Sequence, residues 1–76
     1  MGAFRSLKAR ELYRLLEREL GYQVTRQTGS HRTMEASGRP TLHLAFHDGQ
    51  SIPPGLVRKI LVKDVGLSGD EAMALL

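Results

Sequence analysis

The chain has 76 residues, a net charge of +3 and no cysteine. This length allows one small domain over residues 1–76, and the lack of cysteine excludes disulfides, thiolate metal sites and a cysteine nucleophile. No apolar run approaches the roughly 18 residues of a transmembrane helix, and residues 1–7 carry no secretory signal, so we expect a cytoplasmic protein without a membrane partner. The small positive surplus permits a nucleic-acid partner but does not require one.

A first helix is predicted over residues 7–20, with Ser6 as its cap and Gly21 as its end. The arginines and glutamates of this segment lie mainly off its apolar stripe and are typical of a solvated face. The apolar positions recur at three- or four-residue spacing, which gives one buried stripe: Ala9, Leu12, Tyr13, Leu16 and Leu20.

Alternating polar and apolar residues then predict a meander of three antiparallel strands over residues 22–27, 31–35 and 41–46. Turn sequences rich in glycine and serine separate these strands, and their lengths suit hairpins. Leu42, Leu44 and Phe46 fall on one face of the third strand. The other face is predicted to carry the histidines.

The predicted register brings the histidines together. If the second turn is centred on its glycine, Thr33 pairs with His43 and His31 pairs with Ala45. His43 and His47 then lie diagonally from His31, at about 7–8 Å between Cα atoms. We expect this face of the sheet to be open to solvent or to a ligand.

A second helix is predicted over residues 56–64, opened by the prolines that precede it. Lys59 and Lys63 lie four residues apart on its exposed side. They would extend an anion site at the helix start, although ordinary solvated lysines explain them equally well. Ser68 and Glu71 form a capping box for a short last helix.

The predicted order is helix, three antiparallel strands, helix and a short C-terminal helix. Two helices on one face of a small sheet form a two-layer α+β domain.

Few kinds of chemistry fit these residues. The three histidines lack metal-ligand spacing, and no phosphate-binding glycine loop is present, so we predict no metal and no cofactor. Ser30 and His31 point to opposite faces, which argues against a serine triad. An imidazole can instead take a proton from a ribose hydroxyl, with Arg26 or Arg32 offsetting the charge that builds on the phosphate. Each histidine taken alone is more typical of a surface residue without a role than of a catalytic group.

The sequence also resembles a known family over residues 6–76. The chain is similar to the HicA family of bacterial and archaeal mRNA interferase toxins. This resemblance implies a double-stranded-RNA-binding-domain-like fold, metal-independent cleavage of mRNA, and neutralisation by a cognate HicB-type antitoxin. Three blocks carry it, in this order: KAREL at 8–12 leading to GY at 21–22, RQTGSH at 26–31, and IPPGLVRKIL at 52–61 followed by VGLS at 65–68.

The resemblance also implies the site residues. The family's essential histidine, in the Gly-Ser-His turn, corresponds to His31, which makes His31 the expected general acid or base. Many members carry a second histidine where this chain has Arg32, and an arginine cannot act as an acid near neutral pH. Whether His31 acts alone or with His43 or His47 stays open. The residues expected to contact RNA are Arg26, Arg32, Lys59, Lys63 and His47.

Two further functions fit the same residues. A non-catalytic RNA-binding module would read RNA through phosphate and 2′-hydroxyl contacts and would depend more on the lysines than on His31. A protein-interaction domain would use the open face only to bind an antitoxin. The sequence leaves the oligomeric state open.

Overall fold

The computed structural model describes residues 3–76. Their order confirms the predicted α+β fold: a helix, a three-stranded antiparallel sheet, a second helix and a short C-terminal helix, as in a double-stranded-RNA-binding domain. The elements are β1 (Leu7–Lys8), α1 (Ala9–Leu20), β2 (Gln23–Thr28), β3 (His31–Glu35), β4 (Leu42–Ala45), β5 (Ser51–Ile52), α2 (Pro54–Arg58) with a π-helical continuation (Lys59–Asp64), and α3 (Gly69–Ala74).

The main sheet has the strand order β2-β3-β4, and both neighbouring pairs are antiparallel. His31 pairs with Ala45 and Thr33 pairs with His43, which confirms the predicted register. β4 is one residue shorter at each end than the predicted strand over residues 41–46. The histidine-bearing face of this sheet holds no buried side chain in the described part of the chain.

The first helix begins two residues later than predicted, and Ser6 does not cap it. The two residues before the helix instead form β1, which pairs antiparallel with β5. The N–H of Ala9 donates to the carbonyl of Gln50 at 2.8 Å. The N–H of Arg10 donates to the carbonyl of Asp48 at 3.2 Å. These loop carbonyls satisfy two of the free donors at the helix start, so a serine cap is not needed.

The second helix changes its hydrogen bonding where a regular helix was predicted. It is α-helical over Pro54–Arg58 and π-helical over Lys59–Asp64. The N–H of Val65 donates to the carbonyl of Ile60, five residues back, at 2.9 Å. In a regular helix Asp64 would follow the buried positions onto the core side. The wider π turn leaves Asp64 half-exposed while Val65 stays buried.

One apolar cluster joins the helices to the sheet. The helices cover a single face of the sheet, where Met34, Leu42 and Leu44 are buried. Tyr22 is also buried, and its hydroxyl donates to the carbonyl of Pro40 at 2.8 Å. The capping box predicted for the last helix is confirmed by reciprocal hydrogen bonds between Ser68 and Glu71. Among residues 3–76, no helix is both long and apolar enough to cross a membrane.

Candidate functional site: the open face of the sheet

His31 occupies the first position of β3, directly after a two-residue hairpin turn. Thr28 and His31 close this hairpin, and Gly29 and Ser30 form its tip. Gly29 has a φ of +61°, and no described non-glycine residue has a positive φ. These signs match a type II′ turn, in which glycine occupies the first central position. The turn fixes the register and presents the exposed side chain of His31 at the end of the sheet.

Three residues form a cross-strand row beside His31. Arg26 on β2 pairs with Thr33, and Thr33 pairs with His43 on β4. Paired residues share a face of the sheet, and Thr33 lies two positions after His31 on the same strand. Arg26 and His43 are therefore the diagonal neighbours of His31, at about 7–8 Å between Cα atoms.

Within this row, the side chains of Thr33 and His43 are in contact. The Oγ1 of Thr33 lies 3.4 Å from the Nδ1 of His43. This hydroxyl can donate to the ring or accept from it, depending on the tautomer. The contact leaves Nε2 of His43 directed away from the threonine, because the two ring nitrogens lie on different sides of the imidazole. The open face therefore offers two exposed imidazoles and one guanidinium to an anionic ligand.

Arg32 lies on the opposite face of β3 from His31, although it is adjacent in sequence. It pairs with Leu44, whose side chain is buried beneath the helices. Its guanidinium carbon lies 4.0 Å from the centroid of the Tyr13 ring on α1. Its Nη2 donates to Oδ1 of Asp48 at 3.1 Å. Arg32 is thus held against α1. The sequence alone had allowed it to lie beside His31, and it does not.

The guanidinium of Arg32 keeps an unpaired donor. Its Nε is buried, and no described protein group accepts a hydrogen bond from it. Only 19% of the Arg32 side chain is exposed, whereas 64% of the Asp48 side chain is exposed. No sequence pattern indicates this arrangement, because it depends on how α1 crosses the sheet.

His47 lies outside the sheet, so the prediction that it is a diagonal neighbour of His31 is wrong. The N–H of Phe46 donates to the hydroxyl of Tyr13 at 3.2 Å, which turns the chain toward α1. The N–H of His47 then donates to the side chain of Gln50 at 3.3 Å, within a turn. The imidazole of His47 is exposed and lines a groove at the end of the sheet.

Lys59 and Lys63 line a different groove, between the second helix and β4, together with His43. The Nζ of Lys59 lies 3.1 Å from Oδ2 of Asp64, five residues later. The π-helical segment makes residues at this spacing neighbours. Lys63 takes part in neither of the two ion pairs of the described residues. Of the two lysines, Lys63 is therefore the one whose charge is available to a ligand.

The start of the second helix offers little to an anion. Pro54 has no N–H, and the N–H groups of Leu56 and Val57 both donate to the carbonyl of Pro53 at 3.0 Å. The backbone anion site considered from the sequence is therefore reduced to the N–H of Gly55. The two lysines remain as the cationic groups on this side.

The shifted pKa values belong to contacts that stabilise the fold. Burial raises the pKa of the Tyr22 phenol, and nearby Arg39 partly opposes that rise. Hydrogen bonds from the backbone and side chain of Ser68 lower the pKa of Glu71. Neither group lies on the histidine-bearing face. No three His, Asp or Glu side chains converge as metal ligands would in residues 3–76.

Comparison with known proteins identifies the family. Residues 9–67 match the family described as the HicA toxin of bacterial toxin–antitoxin systems. This match covers the main sheet, the first two helices and every residue of the histidine-bearing face named above. No curated protein matches the chain, and no solved structure matches it. Because the family match extends over more than three quarters of the 76 residues, the chain belongs to the HicA family of toxins, whose members act in toxin–antitoxin systems with an antitoxin partner.

Proposed function

We propose that this toxin is a metal-independent endoribonuclease that cleaves mRNA in the cytoplasm, and thereby arrests translation and growth, with His31 as its catalytic general acid or base. The observation that carries the proposal is the exposed imidazole of His31, fixed by a tight turn on a sheet face that the helices leave uncovered. Histidine is the side chain best suited to proton transfer near neutral pH.

The proposed reaction uses the ribose itself as the nucleophile. His31 takes the proton of the 2′-hydroxyl, and the resulting oxygen attacks the adjacent phosphorus. The bond between phosphorus and the 5′-oxygen breaks, and the leaving oxygen receives a proton. The products are a 2′,3′-cyclic phosphate and a 5′-hydroxyl, so no water, metal or redox partner is consumed in this step.

His43 is the favoured proton donor to the leaving oxygen, because its imidazole lies on the same face as His31, diagonally across the sheet. A phosphodiester bound on the open face between the side chains of His31 and His43 would have an imidazole on either side. Arg26, on the other diagonal, is suited to stabilise the extra negative charge of the phosphorane. The remaining RNA contacts proposed for this chain are Lys59, Lys63, Arg32 and His47.

The antitoxin partner is proposed to be of the HicB type and to bind the open face. This face carries the proposed catalytic residue and no helix covers it. A protein that covers His31 would exclude RNA by occupying the same surface, which is the simplest form of neutralisation.

Induced expression of the wild type and of His31→Ala tests the proposal. The growth of the cells and the integrity of a chosen mRNA are followed after induction. We expect the wild type to stop growth and to fragment the message, and His31→Ala to do neither while accumulating as a folded protein. Equal toxicity and equal fragmentation by the two proteins would contradict a catalytic His31.

A non-catalytic RNA-binding module is the alternative of a different class. The arginines and lysines exposed around the sheet would serve it without any proton transfer. Growth arrest by both proteins, with intact mRNA and RNA binding that weakens steeply with salt, would favour this alternative.

A further inference from the structure

A groove beside α1 gathers four of the chain's eight arginines. Arg10, Arg14 and Arg18 project from α1 at intervals of four residues and are exposed. Arg32 reaches the same groove from β3, on the face of the strand opposite to His31. None of the three helix arginines is needed for the catalytic step described above.

Only two carboxylates, Glu17 and Asp48, line this groove. Asp48 is already paired with Arg32 at 3.1 Å. The other ion pair of residues 3–76 joins Lys59 to Asp64, so neither pair involves a helix arginine. Glu17 is therefore the single carboxylate that opposes the three arginines of the helix within the groove.

The burial of the apolar stripe, and not the row of arginines, accounts for most of the stability of α1. Like charges four residues apart destabilise an isolated helix, and this helix contains two such pairs in succession. Its stability comes instead from the buried apolar stripe that includes Leu12 and Leu16. The helix also carries Glu11, Glu17 and Glu19, but neither ion pair of residues 3–76 joins one of these carboxylates to a helix arginine, so the row of guanidiniums is available to an external anion.

The spacing of the row suits a chain of phosphates. Four residues of α-helix advance about 6 Å, so the Cα atoms of Arg10 and Arg18 lie about 12 Å apart along the axis. A guanidinium presents a planar fork of donors that matches a phosphate. Base stacking contributes little here, because the guanidinium of Arg32 already covers one face of the Tyr13 ring. These features favour contacts to the sugar–phosphate backbone.

The groove also leads toward His31. A second groove at the end of the sheet shares Arg32 and Asp48 with the first and is lined by Gly29 and Ser30. These two residues form the turn that immediately precedes His31. An RNA strand that extends beyond the helix arginines thus passes Arg32 and the hairpin turn before it reaches the imidazole of His31.

We propose that Arg10, Arg14 and Arg18 bind the backbone of a single strand of substrate RNA, which runs along α1, past Arg32 and around the hairpin turn to His31. This inference rests on the proposed ribonuclease function, which supplies RNA as the ligand. It adds a binding surface on the helix side, away from the open face that carries the histidines.

Binding of a short labelled single-stranded RNA tests the proposal. Every protein carries His31→Ala, so that binding is measured without cleavage. The test variant is Arg14→Gln with Arg18→Gln. The matched control is Arg39→Gln with Arg58→Gln, which removes the same charge from the turn between β3 and β4 and from the end of α2.

Each lost phosphate contact should reduce the magnitude of the slope of log affinity against log salt concentration by about 0.7. The slope of the test variant, which lacks two arginines, should therefore be smaller in magnitude by about 1.4. At moderate salt its affinity should fall on the order of tenfold, whereas the control should keep most of its affinity and its slope. Equal losses in the two variants would overturn the proposal. So would unchanged binding to RNA in the test variant together with a loss of its binding to the antitoxin.

The sign of the effect reverses at Glu17. Glu17→Gln removes the carboxylate that opposes the helix arginines, so it should tighten RNA binding by a few fold, and weaker binding would count against the groove.

Cleavage assays with His31 restored separate the two proposals. Normal cleavage by the double arginine variant, with unchanged salt dependence, overturns this inference alone. An arginine-dependent salt slope without any cleavage by the wild type overturns the proposed function alone.

Discussion

His31 and Arg32 are neighbours on β3, yet they belong to two different surfaces. His31 is exposed on the open face, between Thr28 and Ala45 of the adjoining strands. Arg32 lies on the opposite face of the sheet, which the helices cover and which we call the covered face. There it is stacked on Tyr13 and paired with Asp48. One residue of offset along a strand separates the two environments.

The two faces of the sheet are suited to different tasks. The open face holds groups that are free to meet a ligand, and its two imidazoles have no described carboxylate partner. The covered face holds Arg32 in one position through packing and an ion pair. Proton transfer is therefore expected on the open face, and fixed positive charge on the covered one.

Exchanging the two residues should have the largest effect on cleavage. The double substitution His31→Arg with Arg32→His keeps the composition but moves the imidazole to the covered face. We expect cleavage to fall by about 10²- to 10⁴-fold, as for the loss of a general acid or base. Rates of cleavage of a defined RNA measure the effect.

The single substitution Arg32→His is the control for that exchange. It retains His31, and its cleavage should remain within about tenfold of the wild type if the role belongs to the open face. If the exchanged protein cleaves as fast as this control, the assignment of the two faces is wrong.

Removing His43 sharpens the description of the open face. His43→Ala should lower kcat by about 10²-fold, because it removes the proposed proton donor while His31 remains. His47→Ala removes an imidazole from the turn beyond β4 and should raise KM with little effect on kcat. The reverse pattern in steady-state kinetics would move the donor from His43 to His47.

The hairpin turn sets which face His31 occupies, and Gly29 supports it. A Cβ at Gly29 would meet no atom within 4 Å, so the cost of Gly29→Ala comes from its φ of +61°. We expect a loss of about 1 kcal/mol, or a fall in Tm of about 4–8 °C.

Gly55→Ala is the matched substitution. It also has free space, but its φ is not positive and it lies in a helix. Alanine should there be neutral or stabilising, by up to about 1 kcal/mol. Thermal unfolding of the two variants should thus shift in opposite directions, and an equal fall in both would contradict the role given to the turn.

The smallest expected effect concerns Glu71, which lies away from both faces. Its pKa is lowered in the folded state by hydrogen bonds from Ser68, so its stabilising contribution is present above its ordinary pKa and is lost as pH falls through the folded value. The difference in Tm between the wild type and Glu71→Gln should therefore shrink between about pH 6 and about pH 3. A difference in Tm that stays constant over this pH range would contradict the effect assigned to the hydrogen bonds from Ser68.

The sheet was predictable because its sequence pattern is local. Alternation along β3 and β4 and the length of the turn between them suffice to pair His31 with Ala45. The buried stripe of α1 follows in the same way from its spacing. The family resemblance added the expected role of His31, which periodicity and spacing alone do not provide.

Other features depend on contacts that a sequence pattern does not record. β1 and β5 have two residues each, too few to show a period, and their pairing displaced the start of α1. The buried positions Val57, Ile60 and Leu61 fit the spacing of a regular helix, so the sequence pattern did not indicate the π-helical segment that leaves Asp64 half-exposed. The position of Arg32 depends on how α1 crosses the sheet, and that crossing brings Tyr13 beneath its guanidinium.

Metal-independent catalysis by His31 is tested by the cleavage of a purified defined RNA by the wild type and by His31→Ala, with metal chelated and the fragment ends identified. We expect cleavage by the wild type that yields 2′,3′-cyclic phosphate and 5′-hydroxyl ends, and a loss of at least about 10²-fold in the variant. Undiminished cleavage by His31→Ala, or cleavage that requires added metal, would contradict it.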